Sequence, residues 1–372
     1  MGISRREFVA SAAALAALPL HAWSETMEKP NEVPWLSEVQ TAPPALPANA
    51  ERLAPLLVDA AGRPITTLDG WKQRRDELRK AWLDFLGTLK AERVRPKLEI
   101  LEEDRPEGCI RQLVRYEGEP STSLGPGPGI PVEGYLLKPA KTAGPRPGVV
   151  ALHETTANTI RQPAGLPAET QTAFALKLAQ RGVVAFCPKC FLWVGEGDYN
   201  ARVAAFQKRH PGAKGMAKML WDAVRALDVL ETLPEVDPKR LGAVGHSLGG
   251  KETLYLAAFD ERVRAAVSSE GGIGIAFSNW DAPWYLGKDV HDAAFRRSHH
   301  ELLAMVAPRA FLLLGGDDAD GARSWPYIEA ALPVYRLYGG AARVGLFNHR
   351  KGHSVPPEAE DRLYDWFAAY LG

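Results

Sequence analysis

Cysteine is scarce in this chain: Cys109, Cys187 and Cys190 are the only three in 372 residues, too few for a disulfide scaffold. A zinc reading of Cys187-Pro188-Lys189-Cys190 needs a second ligand pair, and none follows at suitable spacing. The two are expected to pack together beside a cleft, with a disulfide between them left open. An excess of either charge is also missing, since Lys plus Arg and Asp plus Glu both number 45. That balance argues against nucleic acid and against a cationic partner, and leaves small or locally recognised substrates. The apolar run near the N-terminus, Ala10 to Leu20, is 11 residues and too short to span a bilayer. The sequence shows no internal repeat.

What is present begins with Ser4-Arg5-Arg6-Glu7-Phe8-Val9 ahead of that apolar run, with Ala22-Trp23-Ser24 after it. This resembles a twin-arginine export signal cut after Ser24. Its removal leaves 43 basic and 44 acidic residues, and implies a periplasmic or secreted protein with no stable membrane anchor. The expected organisation is a signal over 1–24, an arm and amphipathic helix over 25–95, and a catalytic domain over 96–372. Pro43, Pro44 and Pro47 break regular structure in the arm. From Trp71 to Leu89 the spacing of Leu78, Trp82, Phe85, Leu86 and Leu89 predicts a helix with one apolar face, read as a docking surface.

A composition of 46% hydrophobic and 24% charged residues is that of a globular chain with a sizeable core. Strand-like stretches at Cys109 to Tyr116 and Val132 to Leu137 flank the Gly/Pro-rich segment Glu119 to Pro131 and are expected to pair antiparallel. Beyond Pro145, apolar runs alternate with helical patterns. The runs are Gly148 to Leu152, Val183 to Cys187, Leu241 to Val244, Val263 to Val267, Phe311 to Leu314 and Val344 to Phe347. The helices are Ala168 to Gln180, Gly215 to Leu233, Leu248 to Phe259 and Glu358 to Tyr370. The fold class is therefore α/β, with a mostly parallel central sheet, helices on both faces and antiparallel leading strands.

At the end of one such run stands Gly245-His246-Ser247-Leu248-Gly249, a G-x-S-x-G sequence between strand and helix. Glycines on both sides permit the strained turn that lifts a serine hydroxyl above a sheet, and the following helix offers backbone N–H groups to an oxyanion. This resembles the nucleophile elbow of the α/β-hydrolases, which order their triad serine, acid, histidine. Ser247 is the candidate nucleophile. His353, in the loop after the last strand and behind Gly352, is preferred over His349, while His299 and His300 are expected on a helix surface. Two acids are open: Asp317, with Asp318 and Asp320 beside it, after Phe311 to Leu314; and Glu270, one strand earlier. Either could hold the imidazole tautomer. The oxyanion hole is expected from the N–H of Leu248 and that of Glu154, with Thr155 the alternative. Aromatics gather at Phe191, Trp193, Trp280, Trp284, Tyr285 and Trp325, where core packing and sugar stacking are both open.

Through Pro147-Gly148-Val149-Val150-Ala151-Leu152-His153 and the elbow, the chain resembles the dienelactone hydrolase and acetyl xylan esterase branch of the α/β-hydrolases. More distantly it resembles the glucuronoyl esterases, through Ser247-Leu248-Gly249-Gly250-Lys251, Ser269-Glu270-Gly271-Gly272-Ile273-Gly274, Pro333 to Gly339 and Lys351-Gly352-His353. Those enzymes carry Arg-Asn at Leu248-Gly249. The resemblance implies an exported serine carboxylic-ester hydrolase acting on a small-molecule or carbohydrate ester, such as acetylated or glucuronoylated plant polysaccharide. It makes Glu270 a rival to Asp317 and Lys251 a carbohydrate contact, beside Trp193, Trp280 and Trp284. No cofactor and no metal is required. A prolyl-oligopeptidase-like peptidase, an acyltransferase, and a noncatalytic carbohydrate-binding module that keeps the elbow are the alternatives. Oligomeric state is not encoded in these motifs.

Overall fold

The computed structural model describes residues 32–372 except 49, 88, 90–92, 120–128, 142 and 168–169. The twin-arginine segment, and most of the Gly/Pro-rich stretch ahead of Pro131, lie outside the described residues. After an irregular segment comes α1 (Leu68–Leu86), followed by β1 (Glu99–Asp104), β2 (Cys109–Glu119) and β3 (Ile130–Pro139). Strands and helices then alternate as β4 (Arg146–Leu152), α2 (Phe174–Gln180), β5 (Val184–Pro188), α3 (Tyr199–Arg209), α4 (Gly215–Thr232), β6 (Val236–His246), α5 (Leu248–Phe259) and β7 (Val263–Ser269). The series closes with α6 (His300–Val306), β8 (Ala310–Gly315), α7 (Trp325–Arg336), β9 (Val344–Asn348) and α8 (Pro357–Leu371).

The strands make one sheet in the order β1-β2-β3-β5-β4-β6-β7-β8-β9. Pairing is antiparallel through β1, β2, β3 and β5, and parallel from β5 onward. Because side chains alternate along a strand, the central strands feed two cores. Val150 and Leu152 of β4 and Phe311 and Leu313 of β8 face the core built with α4 to α7. Val149 and Ala151, with Leu312 and Leu314, face the smaller core built with α2 and α8. All the parallel strands deliver their C-terminal ends to one edge, where sites in such sheets form.

Helix α1 starts where the Thr67 side chain accepts the Gly70 N–H, 3.2 Å away, as an N-cap. Its Leu78, Trp82 and Leu86 are buried in the larger core. Trp82 lies on the His299 ring at 5.5 Å and meets Tyr255 edge-on at 6.0 Å, and its indole N–H donates to Glu301 Oε2 at 2.7 Å.

Several expectations change. The helix expected over Ala168 to Gln180 is present as α2 from Phe174; Ala168 and Glu169 lie outside the described residues, and residues 171–172 form a turn in which the Thr172 hydroxyl donates to Glu154. Helix α7 carries Pro326 and Pro333, residues that read as breakers, and α3 is too polar to stand out as periodic. His299 and His300 are buried, not on a surface. His299 donates from Nδ1 to the Ile273 carbonyl at 2.7 Å and accepts the Tyr255 hydroxyl at Nε2, 2.9 Å away, and burial holds its pKa down to about 3. His300 reaches the Ala54 carbonyl at 2.9 Å, so the N-terminal segment covers that ring. Cys187 and Cys190 are separate buried thiols, and burial raises both pKa values. Among the described residues, no helix is long and apolar enough to cross a membrane.

Trp82→Ala should cost about 3–5 kcal/mol, the usual loss for a buried tryptophan, because it also strands the Glu301 carboxylate. Urea denaturation at an unchanged m-value measures this, and a cost under about 1 kcal/mol would show that α1 is not integral to the core.

Candidate active site

Ser247 sits between the end of β6 and the start of α5 at φ 55°, ψ −117°, a conformation that non-glycine residues adopt only under constraint. The constraint comes from both sides. The Ser247 N–H donates to the Ser269 carbonyl at 2.8 Å. A Cβ on Gly245 would collide with the Gly249 backbone, and one on Gly249 with the Leu152 carbonyl oxygen. The two elbow glycines are thus required by backbone contact, one between strand and helix and one between the helix and the end of β4. Leu248 is the first residue of α5, so its N–H has no partner within the helix.

The same device recurs along the edge. Glu270, one residue past β7, has φ 48°, and its N–H donates to the Leu314 carbonyl at 2.9 Å. The N–H groups of His349 and Gly352 each donate at 2.8 Å, to Gly315 and Gly316. A side chain at Gly316 would run into the Gly352 carbonyl, so glycine there lets the histidine loop close onto the sheet.

His353 Nδ1 lies 3.3 Å from Glu270 Oε2 and 3.9 Å from Asp318 Oδ2. Glu270 is buried, whereas the His353 side chain is 35% exposed. The Glu270 carboxylate is itself held by backbone donors: the Gly316 N–H at Oε1, and the Ala319 N–H at Oε2, 2.6 Å away. Hydrogen bonding to Glu270, opposed in part by burial, raises the His353 pKa above its ordinary value. The His246 ring beside Ser247 packs on His353 with centroids 4.6 Å apart, which brings the imidazole to the elbow. His246 bonds Ser269 Oγ through Nδ1 at 3.0 Å, and burial lowers its pKa to about 3, so it is neutral. Its 4.0 Å approach to Glu154 Oε2 is therefore not an ion pair.

The loop after β4 runs beside this pair. His153 accepts the Cys190 N–H at Nε2, 3.1 Å away, which leaves Nδ1–H to donate to the Glu154 carbonyl at 2.8 Å; burial lowers its pKa to about 4. Glu154 Oε1 accepts from Gln162 and from the Thr172 hydroxyl, the latter at 3.1 Å. The backbone carrying the Glu154 N–H is fixed close to the elbow by these bonds.

Other expected residues lie elsewhere. Asp317 is exposed; its Oδ1 accepts from Asn348 Nδ2 at 2.7 Å and from the Ala322 N–H at 3.1 Å, and none of its bonds reaches His353. Asp320 is fully buried and ties the two acid-bearing loops together, accepting the Gly272 and Ile273 N–H groups at 2.6 and 2.8 Å. His349 is buried and accepts the Lys351 N–H at Nδ1, 3.1 Å away. Lys251, expected to meet substrate, is buried: it donates to Ser278 Oγ at 2.7 Å and lies 4.1 Å from the Trp280 ring centroid. Burial lowers its pKa to about 7. Trp280 is also interior, its indole N–H bound to the Gly272 carbonyl at 2.7 Å, and Phe191, Tyr285 and Trp325 are buried too. Trp193 and Trp284 are part-exposed and are bridged by Tyr199 at 5.0 and 5.6 Å, with His153 4.9 Å from Trp193.

Sequence reasoning did not single out His246, Gln162 or Thr172. His246 stood in the elbow and could have been found there; the other two carry no local signal. Asp318, named beside Asp317 as an open acid position, is the member of that group that approaches the imidazole, at 3.9 Å. Glu270, Asp318 and His353 also bring three potential ligand atoms within 4.8 Å of one another. Two of these groups are the carboxylates that face the third, the His353 imidazole.

The dienelactone hydrolase family matches residues 132–300. YtaP of Bacillus subtilis is 26% identical over 297 residues, covering 75% of this chain and 94% of that protein. A 4-O-methyl-glucuronoyl methylesterase of Cerrena unicolor is 30% identical over 176 residues, 37% of this chain and 36% of that protein. The chain thus spans about a third of that esterase. A glucuronoyl esterase structure from Solibacter usitatus superimposes with a TM-score of 0.69 at 18% identity, covering 88% of this chain and 99% of that one. That likeness shows the α/β-hydrolase fold.

The raised His353 pKa stabilises the fold fully below the ordinary histidine value, and this contribution is lost as pH rises through the folded-state value. Its partial exposure keeps the effect small. In an NMR titration the His353 midpoint should lie above that of a free histidine and fall in Glu270→Gln; an unmoved midpoint would sever the link between the two residues.

Proposed function

We propose that this α/β-hydrolase, a serine carboxylic-ester hydrolase, is an exported esterase acting on acylated or uronoylated carbohydrate through Ser247, His353 and Glu270. One observation carries the assignment of the acid: the buried Glu270 carboxylate, fixed by two backbone N–H groups, is the acid that meets His353 Nδ1. Asp317 is turned to Asn348.

In this mechanism Ser247 Oγ attacks the ester carbonyl carbon while His353 Nε2 takes the hydroxyl proton. Glu270 keeps Nδ1–H oriented and stabilises the imidazolium. The carbonyl oxygen becomes an oxyanion held by the Leu248 and Glu154 N–H groups. Collapse breaks the ester C–O bond, and the departing alcohol takes its proton from His353. Water then attacks the acyl-serine, His353 again accepting and returning the proton, and the carboxylic acid leaves. Asp318, 3.9 Å from the imidazole and exposed, adds a second and weaker stabilising charge.

Carbohydrate is supported by the names of the relatives and by the part-exposed row Trp193, Tyr199 and Trp284 beside the oxyanion loop. Sugars stack on such rings. Lys251 is withdrawn from this reading by its burial. Export is supported by the paired arginines and short apolar run ahead of Ser24.

With 4-nitrophenyl acetate, Ser247→Ala should lower kcat by at least about 10³-fold and Glu270→Gln by about 10²–10⁴-fold, while Asp317→Asn stays within a few-fold of wild type. Circular dichroism should stay unchanged. Equal losses at Glu270 and Asp317 would overturn the choice of acid. Wild-type release of acetate from acetylated xylan, or of methanol from a methyl glucuronate, tests the carbohydrate reading; binding of glycan without cleavage would refute hydrolysis.

A further inference from the structure

The side chain of Glu154 has no part in the mechanism above, which uses only its N–H. Yet it is held in place. Both of its hydrogen-bond donors, the Gln162 amide and the Thr172 hydroxyl, take Oε1, while Oε2 is the oxygen that lies 4.0 Å from His246 Nε2, next to Ser247. The side chain is 20% exposed. Among the described residues the three groups nearest this carboxylate are neutral, since burial keeps His246 uncharged. The cation that reaches Glu154 is protonated His353, whose pKa it helps to raise, so in the neutral-His353 form that accepts the serine proton the carboxylate charge is unmatched. Residue 248 is a leucine, and the nearest lysine along α5, Lys251, is committed to Ser278 and the Trp280 ring. Glu270 and Asp318 add two more carboxylates on the far side of the His246 and His353 rings.

From this arrangement we propose that Glu154 is a specificity residue that sorts esters by the charge of the acyl part. A neutral acyl group, such as an acetyl on a sugar hydroxyl or a uronoyl group whose carboxyl is itself the ester, enters unopposed. An acyl group bearing a second, free carboxylate is repelled, because it must place that charge within several Å of Glu154 in a partly dry cleft. The preferred substrates are then esters whose acyl part carries no free carboxylate. The proposal rests on the esterase reading above.

The test uses a near-isosteric pair, 4-nitrophenyl methyl adipate and 4-nitrophenyl hydrogen adipate, on the full mature chain. Wild type should prefer the neutral ester by on the order of tenfold in kcat/KM at low ionic strength. That preference should shrink in 0.5 M NaCl, because the Glu154 side chain is 20% exposed and salt screens a charge that solvent reaches. In Glu154→Gln the preference should fall to about twofold or less and lose its salt dependence, and Glu154→Asp should restore part of it. A wild type without preference overturns the proposal, as does a Glu154→Gln enzyme that slows on both esters at an unchanged ratio, the mark of a purely structural role. A wild type that cleaves neither ester fails differently: it refutes the esterase reading itself.

Discussion

The reactive edge depends on one buried carboxylate being held where it could not sit unaided. Glu270 occupies a left-handed backbone conformation, its own N–H is tied to the end of β8, and its side chain takes two N–H groups from the loop that follows β8. A buried carboxylate is costly unless such donors surround it. Once they do, the charge is a fixed point against which the His353 ring is oriented. Asp320 strengthens the junction by taking two N–H groups from the Glu270 loop, so the loops after β7 and β8 behave as one body.

Ser247 and Glu270 share this logic. Each is a non-glycine residue at positive φ directly after a parallel strand, and each has its N–H bonded to the neighbouring strand's last carbonyls. Strain of this kind persists only when the surroundings over-determine it. Here the determinants are the sheet itself and the glycines at 245, 249 and 316, whose missing side chains allow β4, α5 and the His353 loop to meet. The two cores on either face of the sheet keep that edge rigid, which is what a preorganised site requires.

Electrostatically, the site divides its histidines. His153, His246 and His299 are buried and neutral, serving as packing and hydrogen-bonding groups. His353 alone among these four combines partial exposure with a carboxylate partner and a raised pKa. The proposed general base is thereby distinguished from its neighbours by environment and not by residue type.

The strand-and-helix alternation was legible in the sequence because apolar runs after Pro145 are long and separated by clear helical spacing, and the elbow was legible because its glycines and serine act through contiguous backbone. The order serine, acid, histidine followed from the same linear logic. What the sequence left open was decided by contacts between residues far apart in the chain. Glu270 and Asp317 each follow a strand, and only the pairing of β7 with β8 shows which carboxylate faces His353 and which turns to Asn348. Lys251 and Trp280 look alike as surface or core until the segment between β7 and α6, which carries Trp280, folds over Lys251. Helix α7 hides behind its prolines, and Thr172 reaches Glu154 from the turn at residues 171–172 ahead of α2. Local pattern therefore determined most of the elements and the candidate nucleophile, because hydrophobic spacing and backbone sterics are properties of neighbouring residues. Tertiary structure decided which carboxylate meets His353, the burial of the aromatics and the charge beside the elbow, because each depends on how segments distant in sequence come together and exclude solvent.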